Sequence, residues 1–145
     1  MSNTEPMKLP RSFWIIAAVA LFWNLAGVAT YISDVTLSEE ALAKLSDEHR
    51  GLRDATPVWV TGAYAIAVFA GALGAVSLLL KRNWAVPLFG ASVVAVLVQM
   101  GFMFIAINAA AVLGVSAMIM PAVIIAAGAF LFMYAMNANS KGWLR

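Results

Sequence analysis

Residues 56–107 read TPVWVTGAYAIAVFAGALGAVSLLLKRNWAVPLFGASVVAVLVQMGFMFIAI, and this stretch decides the fold. It holds two long apolar runs, 58–80 and 84–107, which are separated only by Lys81, Arg82 and Asn83. Each run reaches the length of about 20 residues that an α-helix needs to cross a bilayer. A connection this short predicts that the two membrane helices are antiparallel neighbours.

Two further apolar runs, 13–32 and 112–136, flank this pair. The 145-residue chain is 63% hydrophobic and only 11% charged, whereas soluble domains are about a quarter charged. We therefore predict an all-α membrane protein in which residues 1–145 form a single membrane domain, a bundle of four transmembrane helices. Pro121 lies inside the fourth run and predicts a kink there.

The charged residues outside the spans are distributed unevenly. Six basic residues fall on one side of the predicted bundle: Lys8, Arg11, Lys81, Arg82, Lys141 and Arg145. The other side receives residues 33–57, which contain six acidic and three basic side chains. Because Lys and Arg concentrate on the cytoplasmic side of membrane proteins, we expect cytoplasmic N- and C-termini and an extracytoplasmic segment 33–57.

The charged segment between the first two spans predicts one amphipathic helix over about 37–52, with Thr36 or Ser38 as its N-cap. Its apolar side carries Leu42, Leu45, His49 and Leu52. Interfacial helices are usually basic, so the acidity of this one argues against a lipid-bound position. Two interpretations stay open: a lid on the outer ends of the bundle, or a face that binds a partner.

Few polar residues lie within the spans. Asn24 and Gln99 fall at similar depth near the midplane, where they either bond each other across two helices or form a site for a neutral polar group. A second group lies nearer the outer surface: Thr61, Tyr64, Asn108 and Ser116. These four either line an outer cavity or sit at the wet interface.

Small residues recur at four-residue spacing on the second span. Ala63, Ala67, Gly71 and Ala75 form this stripe, and Gly74 lies beside it. Such stripes allow helices to approach closely. The stripe is explained either by packing within one bundle or by a homodimer face.

Several kinds of chemistry lack the residues they need. The chain has no cysteine and a single histidine, His49, so a Ser/His/Asp triad, thiolate chemistry and a multi-ligand metal site are not indicated. No acidic residue lies in a span and no glycine-rich loop follows a strand, which argues against a proton relay or a phosphate site. We predict a protein that is not an enzyme, has no cofactor, and with a net charge of +2 binds no nucleic acid.

Five segments carry a resemblance to a known group of proteins: FWNLAGVATYI, TPVWVTGAYAIAVFAGALGAVSLLL, RNWAVPLF, VLVQMGFMF and the terminal KGWLR. Together they resemble a family of small four-span bacterial inner-membrane proteins, some of which carry the name sugar transporter. The resemblance implies a bacterial inner (plasma) membrane location with both termini inside. It implies no site residues.

We predict that the lipid bilayer is one partner of this chain. Two functional hypotheses follow. In the first, the protein is an accessory subunit of a bacterial envelope complex and binds a membrane protein partner through its outer helix; a homo-oligomer is the other partner that we consider. In the second, it is a small transporter or binder of a neutral, sugar-like solute or of a lipid. Asn24 and Gln99 would then form the binding site.

Overall fold

The computed structural model describes residues 7–145, which are helical and contain no strand. Four helices in this part of the chain are long and apolar enough to span a membrane, which confirms the all-helical class and the four long apolar helices of the prediction. The α-helices are α1 Arg11–Val35, α2 Glu39–Ala43, α3 Asp47–Ala55, α4 Val58–Leu79, α5 Ala85–Gly101, α6 Ala109–Leu113 and α7 Ile119–Ser140. A π-helical turn, Phe102–Ala106, continues α5, and a 3₁₀ turn, Val115–Met118, precedes α7.

The segment between α1 and α4 differs from the prediction, because it forms two short helices and not one helix over 37–52. Each helix has its own serine N-cap: Ser38 Oγ accepts from the backbone N–H of Ala41 at 3.1 Å, and Ser46 Oγ accepts from that of His49 at 3.3 Å. A serine placed in mid-segment competes with helix continuation and starts a new helix. We call residues 36–57 the cap.

The fourth span begins later than the predicted residue 112. Asn108 and Gly114 both have positive φ, 47° and 92°, and they delimit the short helix α6. The chain therefore turns over 108–114 before the fourth long helix starts. Pro121 lies in the first turn of α7, where its missing N–H removes no helical bond, so the position gives no reason for the predicted kink.

The long helices pack in the order α1, α4, α5, α7, with α4 against α1 and α5, and α7 against α5. The small-residue stripe of α4 faces these neighbours: Ala67, Gly71, Gly74 and Ala75 are buried within the chain. A Cβ on Gly74 would lie 3.0 Å from the ring of Phe89. Close packing inside one chain therefore accounts for the buried part of the stripe.

The two ends of the bundle differ in charge and packing. The basic end contains the start of α1, the α4–α5 turn and the C-terminus, and it carries the six basic residues named above. The acidic end contains the cap and the 108–118 turn. At the basic end, Phe13 is fully buried and its ring packs on those of Tyr134 and Trp143, at 6.4 and 5.9 Å between centroids.

Candidate functional site

A cavity of about 420 Å³ lies between the four long helices, in the half of the bundle nearer the acidic end. Its wall uses the second half of α1 from Trp23 to Thr30, and the first half of α4 from Tyr64 to Val68. Most of α5 and the first half of α7 complete it. The volume lies within the range of about 300–1,000 Å³ that is usual for small-molecule sites.

The lining is apolar and uncharged. Of the 19 residues that line the cavity, five have a polar side chain: Asn24, Thr30, Tyr64, Ser92 and Gln99. None carries a formal charge at neutral pH. The rest are aliphatic, aromatic, methionine or glycine residues. The wall therefore offers a large apolar surface with a few hydrogen-bonding groups, which is typical of a site for a small organic molecule.

Asn24 is held in place by its own helix and by α4. Its Nδ2 donates to the carbonyl oxygen of Ala20 at 2.7 Å, one turn earlier in α1. Its Oδ1 lies against Gly71, where a Cβ would collide with it. The second N–H of this amide has no hydrogen bond to the protein within residues 7–145. Asn24 therefore combines a packing role with one donor that is left for a ligand.

Gln99 lines the same cavity and is half-buried. Across the described residues 7–145, its side-chain amide makes no hydrogen bond, and in particular none to Asn24, and its polar atoms are accessible. The direct helix–helix bond that was one interpretation of this pair is not formed. The structure instead brings Asn24 and Gln99 to one cavity, where the amide of Gln99 offers both a donor and an acceptor.

Ser92 and Thr30 complete the polar lining, and neither is predicted from the sequence as a site residue. Ser92 Oγ donates to the carbonyl oxygen of Ala67 at 2.6 Å and so joins α5 to α4 beside the cavity. A signal for Ser92 exists in the sequence, since Phe89, Ser92, Val96 and Gln99 recur at helical spacing along one face of α5. Thr30 Oγ1 donates to the carbonyl oxygen of Ala26 at 2.9 Å.

Only Tyr64 of the four predicted outer-cavity residues lines this cavity. Its hydroxyl lies 3.4 Å from Oδ2 of Asp34 at the end of α1. Thr61 is half-buried on α4 outside the lining, and Asn108 and Ser116 are exposed in the 108–118 turn. The predicted group therefore does not gather around this cavity.

The predicted partner face is partly covered by the protein itself. Leu52 of α3 is only 8% exposed, and Leu42 and Leu45 are half-buried. His49 is exposed and its Nδ1 lies 2.7 Å from Ser46 Oγ, so it does not share the buried side of Leu52. In residues 7–145, no group of three or more His, Cys, Asp and Glu side chains is placed to hold a metal ion.

Comparison with protein-family models, with curated proteins and with solved structures gives no match to this chain. The resemblance to small four-span bacterial proteins therefore stays a prediction.

Proposed function

We propose that this protein is a non-enzymatic membrane protein whose cavity binds a small neutral molecule with a largely apolar body and one or two hydrogen-bonding groups. The observation that carries the proposal is the side-chain amide of the half-buried Gln99, which lines an uncharged cavity, is accessible there, and has no hydrogen bond to residues 7–145. An amide in apolar surroundings is stabilised when a ligand supplies its missing partners.

The neutrality of the ligand follows from the lining. A charged group within the bilayer requires an opposite charge or a dense set of hydrogen bonds to replace its hydration. The cavity wall contains no charged side chain. A neutral head that hydrogen-bonds to an amide and a hydroxyl fits the chemistry of this wall.

The same lining favours an apolar ligand over a free sugar. A sugar presents a hydroxyl on nearly every carbon, and each buried hydroxyl needs a partner. Here only five lining residues are polar, and Asn24, Thr30 and Ser92 already donate to backbone carbonyls of the protein. Of the solutes considered from the sequence, a lipid-like molecule therefore matches the cavity better than a sugar.

The accessory-subunit hypothesis stays a prediction with less support from the geometry. Its apolar anchor Leu52 is buried against the protein, and Leu42 and Leu45 are half-buried. A partner would therefore have to dock on the exposed polar side of the cap. A stoichiometric second protein, purified in gentle detergent from native membranes and lost when that polar side is mutated, would restore the hypothesis.

We further propose the orientation that the charges indicate, with cytoplasmic termini, residues 33–57 extracytoplasmic, and the bacterial inner membrane as the location. The chain has no cysteine. A single introduced cysteine is therefore the one thiol that a maleimide can label, and its labelling shows on which side of the membrane that position lies. In intact cells an impermeant maleimide should label Glu48→Cys in the cap, and should label Asn139→Cys near the basic end only after lysis. The reverse pattern would invert the proposed orientation.

Binding is tested with a photoreactive monoacylglycerol, a neutral single-chain lipid, in phosphatidylcholine vesicles that contain the purified protein. The measured quantity is the labelling of peptides that line the cavity, counted only where an unlabelled competitor prevents it. Gln99→Leu should reduce this labelling by about threefold to tenfold, which corresponds to the loss of a hydrogen bond of about 0.5–1.5 kcal/mol. The neighbouring Val98→Leu, on the exposed side of α5, is the matched control and should label like the wild type. Absence of competable labelling in the wild type, or equal labelling of the two variants, would refute the proposal.

A further inference from the structure

We infer that the ligand enters the cavity sideways from the bilayer, through a gap between α1 and α7, and that it is a single-chain neutral amphiphile with its head towards the acidic end. This inference rests on the proposed function, since it concerns the route and ligand class of the same cavity. A lateral route of entry distinguishes a ligand that is dissolved in the membrane from a solute that reaches the protein through water.

The gap results from the packing order of the helices. α1 packs on α4, α4 on α5, and α5 on α7, whereas α1 and α7 form no interface of comparable extent among the described residues. A four-helix bundle closed on all sides needs a fourth interface between its first and last helix. Contact between α1 and α7 begins at the basic end, where Phe13 meets Tyr134 and Trp143, and the buried cluster there reaches Ala20 and Leu131.

The edges of the gap belong both to the cavity and to the outer surface of the protein. On α1, Trp23 lines the cavity and is 41% exposed, and Ala26 and Thr30 line it and are exposed too. On α7, Met120 lines the cavity and is 60% exposed. A side chain with one part in a cavity and another part outside marks an opening, and this opening lies along two membrane-spanning helices.

The basic end of the cavity is closed. Phe89 and Leu131 line the cavity and are only 2% and 7% exposed. They belong to a buried cluster that also contains Phe13 and Leu78, both fully buried, and it continues to the C-terminal Leu144. Close packing of this kind leaves no path for a solute towards the basic end.

At the acidic end, the cap is fastened to the bundle. Arg53 donates to the backbone carbonyl of Asp34 at 2.8 Å, and the Thr56 hydroxyl lies 3.7 Å from Met103 Sδ. Residues 33–57 include nine Asp, Glu, Lys and Arg side chains, yet none of them lines the cavity. The gap, edged by tryptophan, alanine, threonine and methionine, is instead suited to the passage of an apolar chain.

The polar residues also indicate how the ligand lies. Thr30 and Tyr64 are near the acidic-end termini of α1 and α4, close to the aqueous surface, whereas Phe89 and Leu131 form the deep wall. A neutral head would therefore bond to Tyr64, Gln99 and the second side-chain N–H of Asn24, and its single chain would extend from there towards Phe89. A cavity of about 420 Å³ is too small to enclose both chains of a phospholipid.

The test measures the rate of entry. Photoreactive monoacylglycerol is added to proteoliposomes, brief flashes at successive times fix the bound probe, and peptide mapping gives the labelled fraction of the cavity residues. Ala26→Phe places a bulky ring on the edge of the gap. Ala29→Phe, which is exposed on the same helix but does not line the cavity, is the matched control. Labelling of the exposed surface of α5 shows when the probe has reached the bilayer.

Ala26→Phe should slow labelling of the cavity about tenfold relative to Ala29→Phe. The probe should label the exposed surface of α5 equally fast in both variants. Equal rates of cavity labelling in the two variants, with a wild type that binds, would overturn lateral entry and leave the proposed function intact. A wild type that does not bind would overturn the proposed function itself. Tighter retention of free glucose than of monoacylglycerol would overturn the ligand class.

Discussion

Asn24 of α1 and Gly71 of α4 fit together so closely that a single methyl group at position 71 would collide with the Asn24 side-chain oxygen. The contact lies at the wall of the cavity, and Ser92 of α5 is also near, at 3.2 Å from the position of that methyl group. Gly71 is buried and Asn24 is fixed by its bond to Ala20. Gly71 therefore leaves room for the side chains of Asn24 and Ser92 against α4 at the candidate site.

Gly71→Ala should consequently lower the stability of the bundle by about 1–3 kcal/mol, the usual cost of overpacking a tight interface. Gly62→Ala on the same helix is the matched control, because no atom lies within 4 Å of its added Cβ. There the better helix propensity of alanine should leave stability unchanged or raise it by up to about 1 kcal/mol. Unfolding by a strong detergent, followed by circular dichroism, measures both, and equal stability of the two variants would contradict the close contact.

A smaller side chain at position 24 should relieve this collision. Asn24→Ala alone should destabilise slightly, because it leaves a small void and removes the bond to the Ala20 carbonyl. Combined with Gly71→Ala, it should recover about half or more of the lost stability, since neighbouring residues are coupled by about 0.5–3 kcal/mol. A double-mutant cycle on the same unfolding measurement gives this coupling, and strictly additive losses would show that the two residues do not compete for space.

The long apolar runs of the sequence are sufficient to predict four helices that are long and apolar enough to span a membrane, because length and hydropathy can be taken directly from the sequence. The cap was predicted as one helix because its apolar residues follow helical spacing. A hydropathy pattern does not show that Ser46 acts as the N-cap of a second helix, which divides the segment. Likewise, no apolar pattern reveals that Gly114 has a positive φ and delays the fourth helix.

For the candidate site, the sequence predicted the two midplane amides but not what surrounds them. Depth along each helix can be counted from the residue number, so Asn24 and Gln99 were placed at similar levels. Whether they would bond each other depends on helix rotation, which is set by contacts such as Asn24 on Gly71 and Phe89 on Gly74. Those contacts are decided by shape, and shape is not visible in a hydropathy pattern.

The C-terminus should be necessary for the stability of the basic end. The backbone of Arg145 donates to the Lys81 carbonyl at 2.8 Å and accepts from the Asn83 N–H at 2.9 Å, which ties the last residue to the α4–α5 turn. Leu144 is only 6% exposed. Leu144→Ala should therefore cost about 2–5 kcal/mol, the range for a buried leucine. Arg145→Ala keeps the backbone bonds and should stay close to wild type. Equal unfolding midpoints for these two variants would show that Leu144 does not stabilise the folded protein.

The cap should loosen when Leu52 is changed, and this measurement separates a lid from a partner face. Leu52→Ser places a polar group where the side chain is 8% exposed, and the expected loss is about 1–3 kcal/mol of local stability. Because α3 contacts α6 and reaches the end of α1 through Arg53, the loss should raise hydrogen exchange over 47–56 while α4 and α5 stay protected. His49→Ser is the matched control, since this side chain is exposed on the same helix. If Leu52→Ser leaves exchange in α3 unchanged but removes a protein that co-purifies with the wild type, the cap binds a partner and the lid interpretation is wrong.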